Sequence, residues 1–143
     1  MKLSTHFTLE ELTFSETAAR HNLDNVPSQK VIENLKRVAT VLEQIRAVVN
    51  RPIMVSSGYR SPAVNRAVGG SMSSAHMQGL SADIRAAGMT PRELAEAIKH
   101  NAVKFDQLIL EFDRWVHVGL AVDEPRNQVL TIRFGTGYMQ GLV

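Results

Sequence analysis

The 143-residue chain has no cysteine, which excludes a disulfide framework and every thiolate metal site. Any metal it holds must therefore sit on histidine or carboxylate side chains. Long hydrophobic runs are missing too: no window approaches the ~20 apolar residues of a membrane span, and Met1 to Phe7 carries no apolar stretch of signal-peptide length. Neither membrane insertion nor a cleaved signal peptide is expected, and the protein is expected to be made in the cytoplasm. Lysine and arginine form no run, and a formal charge of +2 gives nucleic acid no particular support as a partner. There is no internal repeat, linker or low-complexity segment. What remains is ordinary globular composition, 44% hydrophobic and 21% charged, with chain enough for one hydrophobic core. One domain over residues 1–143, as a monomer, is expected.

The residue pattern predicts an α+β fold in which a small, antiparallel-rich sheet is flanked by helices. Thr8 followed by Glu11 reads as a capping box, stapled by Phe7, and Ser15 starts a further turn that runs to about His21. The clearest helix follows Ser28, because Val31, Leu35, Val38, Leu42, Ile45 and Val49 recur at steps of three and four; Asn50 and Pro52 end it. Ile53-Met54-Val55 reads as a strand entering a loop, and Pro62 as the first turn of a short helix closed by Gly69-Gly70. Ser71 to Gly79 is a loop of small residues, and Leu80 to Ile84 a strand. Thr90-Pro91-Arg92-Glu93 opens another capped helix that ends near His100. Two apolar runs, Asp106 to Phe112 and Trp115 to Leu120, suggest a hairpin turning at Asp113-Arg114, with a last strand from Gln128 to Phe134. Residues 135–143, which begin Gly135-Thr136-Gly137, are expected as a loosely attached tail.

Three side chains stand out as metal ligands. His76 and Asp83 flank Gly79, the histidine on the loop and the aspartate on the strand after it. His117 lies on the hairpin, on the same strand face as Trp115 and Gly119. Two histidines and one carboxylate are a common catalytic zinc set, with a fourth position left open to water. His6, His21 and His100 have no second ligand at useful spacing and are read as helix-end or solvated residues. Spacing alone does not separate a ligand from a structural histidine, so larger motifs have to decide.

Ser74-Ala75-His76-Met77-Gln78-Gly79-Leu80-Ser81-Ala82-Asp83 fits the pattern S-x-H-x-x-G-x-A/S-x-D. Trp115-Val116-His117-Val118 fits a second ligand segment, and Ser57-Gly58-Tyr59-Arg60-Ser61-Pro62 lies upstream of both. With these three motifs in order, the chain resembles the zinc D-alanyl-D-alanine carboxypeptidase and L-alanyl-D-glutamate endopeptidase family, whose fold is shared with the Hedgehog signalling domain. More narrowly it is similar to the short phage and prophage peptidases of that family, over roughly Phe7 to Leu120. The resemblance implies zinc on His76, Asp83 and His117, an Arg60 that holds a peptide carboxylate or polarises a carbonyl, and a Ser74 that hydrogen-bonds substrate. The substrate it implies is the peptidoglycan stem peptide, cut by an endolysin-type or particle-borne enzyme after release from the cell or within a phage particle. The general base departs from the carboxypeptidase pattern, since the position three before the last histidine is Arg114. Glu111, six before His117, has the Hedgehog-type spacing and is preferred over Asp113, a residue type that a turn selects for itself. Two alternatives stay open: a non-catalytic zinc-containing binding or structural module, and purely structural histidines.

Overall fold

The computed structural model describes residues 1–143. Five α-helices precede or interrupt six strands: α1 Leu9–Thr13, α2 Glu16–His21, α3 Gln29–Val49, β1 Ile53–Ser57, α4 Pro62–Ala67, β2 Ser81–Ala86, α5 Pro91–His100, β3 Gln107–Glu111, β4 Trp115–Gly119, β5 Gln128–Arg133 and β6 Gly137–Gln140. The helices begin where the polar caps lie. Thr8 and Thr90 form reciprocal capping boxes with Glu11 and Glu93, and the side chains of Ser15, Ser28 and Ser61 accept from backbone N–H groups of the first turns of α2, α3 and α4. Each such cap satisfies an otherwise orphaned donor and is worth about 1 kcal/mol. Asn50 ends α3 in the left-handed conformation at φ 52°, which asparagine tolerates better than most residues.

The six strands form one sheet in the order β1-β2-β4-β3-β5-β6, all neighbours antiparallel except β3 and β5. That parallel pair requires the chain to cross the sheet end between Leu120 and Asn127. Asp106 anchors the crossing by accepting from the Arg126 backbone N–H at 3.0 Å, from Nε at 2.9 Å and from Nη2 at 2.7 Å. Alternation divides the sheet into two faces. Ala82, Ile84, Leu108, Leu110, Val116 and Val118 are buried with Leu35, Leu42 and Ile45 of α3 and Leu94 and Ile98 of α5 to make the core. The opposite face is polar along β2 and β4, and it carries the site.

Three expectations change. The hairpin turn is centred on Phe112-Asp113, not Asp113-Arg114: Arg114 N–H donates to the Glu111 carbonyl at 3.0 Å, and Glu111 pairs with Trp115. Phe112 and Asp113 stand at φ 57° and 54°, the mirror-image turn geometry that matches strand twist. The segment around His76 is not plain loop, because Ala75–Gln78 forms one turn of 3₁₀-helix. Residues 135–143 are not a loose tail. Gly137–Gln140 pairs with β5 as β6, and Thr131 fastens the chain end beyond it, its Oγ1–H donating to the Gly141 carbonyl at 2.7 Å while Oγ1 accepts from Val143 N–H at 3.2 Å.

Candidate active site

The register of the sheet sets Asp83 directly opposite His117 and, one strand further, His117 opposite Ile109 and Trp115 opposite Glu111. Side chains of such pairs share a face. The Asp83 Oδ1 atom therefore lies 3.0 Å from His117 Nδ1. His76 arrives from outside the sheet, on the 3₁₀ turn that precedes β2. Ser74 caps that turn by accepting from His76 N–H at 3.2 Å, and Gly79 closes it at φ 70°, where an added Cβ would also fall 2.8 Å from Val31 Cγ1. His76 Nδ1–H donates to the Gly58 carbonyl at 2.7 Å, which fixes the tautomer and turns Nε2 toward Asp83, 3.3 Å from Oδ1. Gly58 can hold that carbonyl close because it has no side chain: a Cβ there would lie 2.3 Å from the Leu12 carbonyl oxygen.

One nitrogen of each histidine and one oxygen of Asp83 lie within 4.8 Å of one another, and all three residues are buried. That donor set fits a divalent zinc ion, with the Gly58 carbonyl orienting a ligand imidazole from behind, as supporting groups of metal-binding histidines do. The charges within the cluster reinforce one another. Burial pushes the Asp83 carboxyl up, but the hydrogen bond from His117, with the His76 ring close by, outweighs it and holds the group well below the usual carboxylate range. Burial pushes His117 down, and its bond to Asp83 outweighs that in turn, so the imidazole is held above its ordinary value.

The structure brings Glu111 to this face and leaves Asp113 away from it. Glu111 Oε1 accepts the indole N–H of Trp115 at 2.8 Å; burial, with the Asp83 charge adding to it, raises the Glu111 carboxyl above its ordinary value. Asp113 sits on the exposed turn and is gripped by Arg133, Nε to Oδ2 at 2.8 Å, which holds its carboxyl down. Arg60 also lines the cleft. Its Nη2 donates to Ser74 Oγ at 3.3 Å, its Nε is buried with no partner in the protein, and burial lowers its pKa against the pull of Asp83 and Glu111. Ser74 thus holds the arginine and caps the turn as well as lining the cleft.

The cleft has a volume of about 1040 Å³, and its wall includes Arg60, Ser74, Glu111, Trp115, Tyr138 and Gln140 beside the His/Asp trio. Trp115, Tyr138 and Gln140 were not singled out as site residues from sequence. The role of Trp115 depends on Glu111 being its cross-strand partner, which the misplaced turn hid. Tyr138 lines the cleft only because β6 pairs with β5; the glycine positions before it were the available signal, since Gly135 and Gly137 at φ 77° and 65° are turn formers.

The family model described as Peptidase M15 matches residues 5–119, well over half the chain and every residue named for the metal and the base. No curated protein matches the chain.

Proposed function

Because the chain belongs to the peptidase M15 family, we propose that it is a zinc-dependent peptidase that hydrolyses an amide bond in the peptidoglycan stem peptide. The observation that carries the reading is the convergence of His76, Asp83 and His117 on one buried point, with the Glu111 carboxylate on the same sheet face. When bound there, zinc acidifies water and polarises a carbonyl. The side chains of this protein supply the rest. Glu111 takes the proton of the attacking water and returns it to the leaving amine, a task suited to a carboxylate whose proton affinity burial raises. Trp115 holds that carboxylate in one orientation through the 2.8 Å bond. Arg60, with a buried and unpartnered Nε, offers a fixed guanidinium fork to a substrate carboxylate. Stem peptides carry such carboxylates, and a cleft of about 1040 Å³ takes a branched peptide without a tight side-chain pocket.

The test is digestion of purified peptidoglycan by the zinc-loaded protein, with the products weighed by mass spectrometry. Loss of terminal alanine alone identifies a carboxypeptidase, and a cut inside the stem identifies an endopeptidase. Zinc bound with neither product formed would overturn the proposed substrate.

A further inference from the structure

At the end of the cleft beyond Glu111 the surface is aromatic. Phe112 on the β3–β4 turn lies 4.7 Å, centroid to centroid, from Phe134 at the end of β5, with the rings inclined at only 33°, and 5.7 Å from Trp115. Phe134 is 78% exposed and Tyr138, on the neighbouring strand, 63% exposed. Trp115 and Tyr138 line the cleft, so the patch continues the site and is not a separate surface.

Two features show that this patch is held in place. Phe112 occupies φ 57°, a conformation costing a bulky L-residue about 1–3 kcal/mol that glycine or asparagine would avoid. The two turns are also tied together: the Arg133 guanidinium bonds both carboxylate oxygens of Asp113 at 2.8 and 3.2 Å, and Phe112 N–H donates to the Ile132 carbonyl at 2.8 Å. The chain thus keeps exposed and half-buried rings, the half-buried Phe112 strained, on a braced platform beside its reacting groups.

We propose that this platform is a sugar-binding subsite that seats a pyranose ring of the glycan strand while the attached peptide enters the cleft; it rests on the peptidoglycan reading above. The π faces of the rings are electron-rich and attract the slightly positive C–H bonds that line one face of a pyranose. The Arg133–Asp113 pair joins the residues next to two of the rings, Arg133 before Phe134 and Asp113 after Phe112, and polar groups so placed suit the hydroxyls and amides at a sugar's edge. A second protein chain is the poorer occupant: a few part-exposed rings offer about a few hundred Å², against about 800 Å² per partner in a stable association.

Trp115 is the sole tryptophan of the chain, so its fluorescence reports on the platform directly. The protein is titrated with a peptide-free tetramer of β-1,4-linked N-acetylglucosamine, and in parallel with an apolar tripeptide. The tetramer is expected to give a saturable emission change, weakened about tenfold in Phe134→Ala, an exposed substitution whose fold is checked by circular dichroism. With disaccharide-bearing and sugar-free stem peptides as substrates, Phe134→Ala is expected to lower kcat/KM for the first and leave the second unchanged. No response to the tetramer, an equal response in Phe134→Ala, or a response to the tripeptide alone overturns the subsite. Failure of the wild type to cleave either peptide would instead count against the peptidase reading, and the sugar titration would still decide the platform.

Discussion

Replacing Trp115 with phenylalanine keeps a ring beside Phe112 but deletes the N–H that Glu111 Oε1 accepts at 2.8 Å. Glu111 is already pushed up by burial and by the charge of Asp83, and the indole bond is among the contacts that hold it down. A hydrogen bond to a charged acceptor contributes about 1.5–3 kcal/mol net. Glu111 is only half-buried, so the low end applies, and losing the bond raises the carboxyl further. The sign comes from the role. A base works only when ionised, so a higher pKa moves the acid limb of the kcat/KM profile to higher pH. Above that limb the rate should fall by less than about tenfold, because the carboxylate remains and only its orientation is loosened. A bound dication lowers the Glu111 pKa in both proteins alike, so the difference between the profiles survives metal loading. The assay is a pH series of kcat/KM on the stem-peptide fragment that the digest identifies. An acid limb that stays in place, or moves to lower pH, would refute the assignment of Glu111 as the base held by Trp115.

Three other substitutions probe separate parts of the molecule. Glu111→Gln should lower kcat by about 10²–10⁴ while zinc stoichiometry, measured by elemental analysis, stays that of the wild type; full activity in this variant would mean that another group takes the proton. Gly58→Ala forces a Cβ to within 2.3 Å of the Leu12 carbonyl oxygen and should cost about 1–3 kcal/mol, as overpacking does. It should also weaken zinc binding, because the Gly58 carbonyl that orients His76 must shift; thermal melts with and without zinc measure both effects. Asp106 is held below its ordinary pKa chiefly by its hydrogen bond from Arg126, so its contribution is full above the unfolded value of about 3.9 and is lost as pH falls through the lower folded value. Asp106→Asn should therefore melt below the wild type near neutral pH, with the gap closing in acid; a gap that widens in acid contradicts the linkage.

Much of the fold was legible because its signals are local. Thr8 with Glu11, Thr90 with Glu93, and the apolar stripe of α3 each state a helix within a few residues. The convergence of His76, Asp83 and His117 was legible for a different reason: with no cysteine in the chain, a metal had to sit on histidine or carboxylate, and the ordered motifs of the family resemblance singled out these three. The failures came where meaning depends on partners distant in sequence. Gly135 and Gly137 look like the mark of a slack tail, yet their positive φ values make the turn that lets β6 return along β5. The hairpin turn was placed one residue late because Asp113-Arg114 has the more polar composition, while strand register, set by Ile109 opposite His117, puts Phe112 in the turn. That one-residue error concealed the Trp115–Glu111 bond, and the tail error concealed Tyr138 and the aromatic lip.

The central claim is that one zinc ion sits among two imidazoles and an aspartate, and it is tested most directly by a crystal structure of zinc-loaded protein with anomalous data collected on both sides of the zinc edge. The account predicts a single strong anomalous peak per chain, within bonding distance of His76, Asp83 and His117 and absent in Asp83→Ala. A protein that takes up no zinc, or an ion located away from those three side chains, would contradict it.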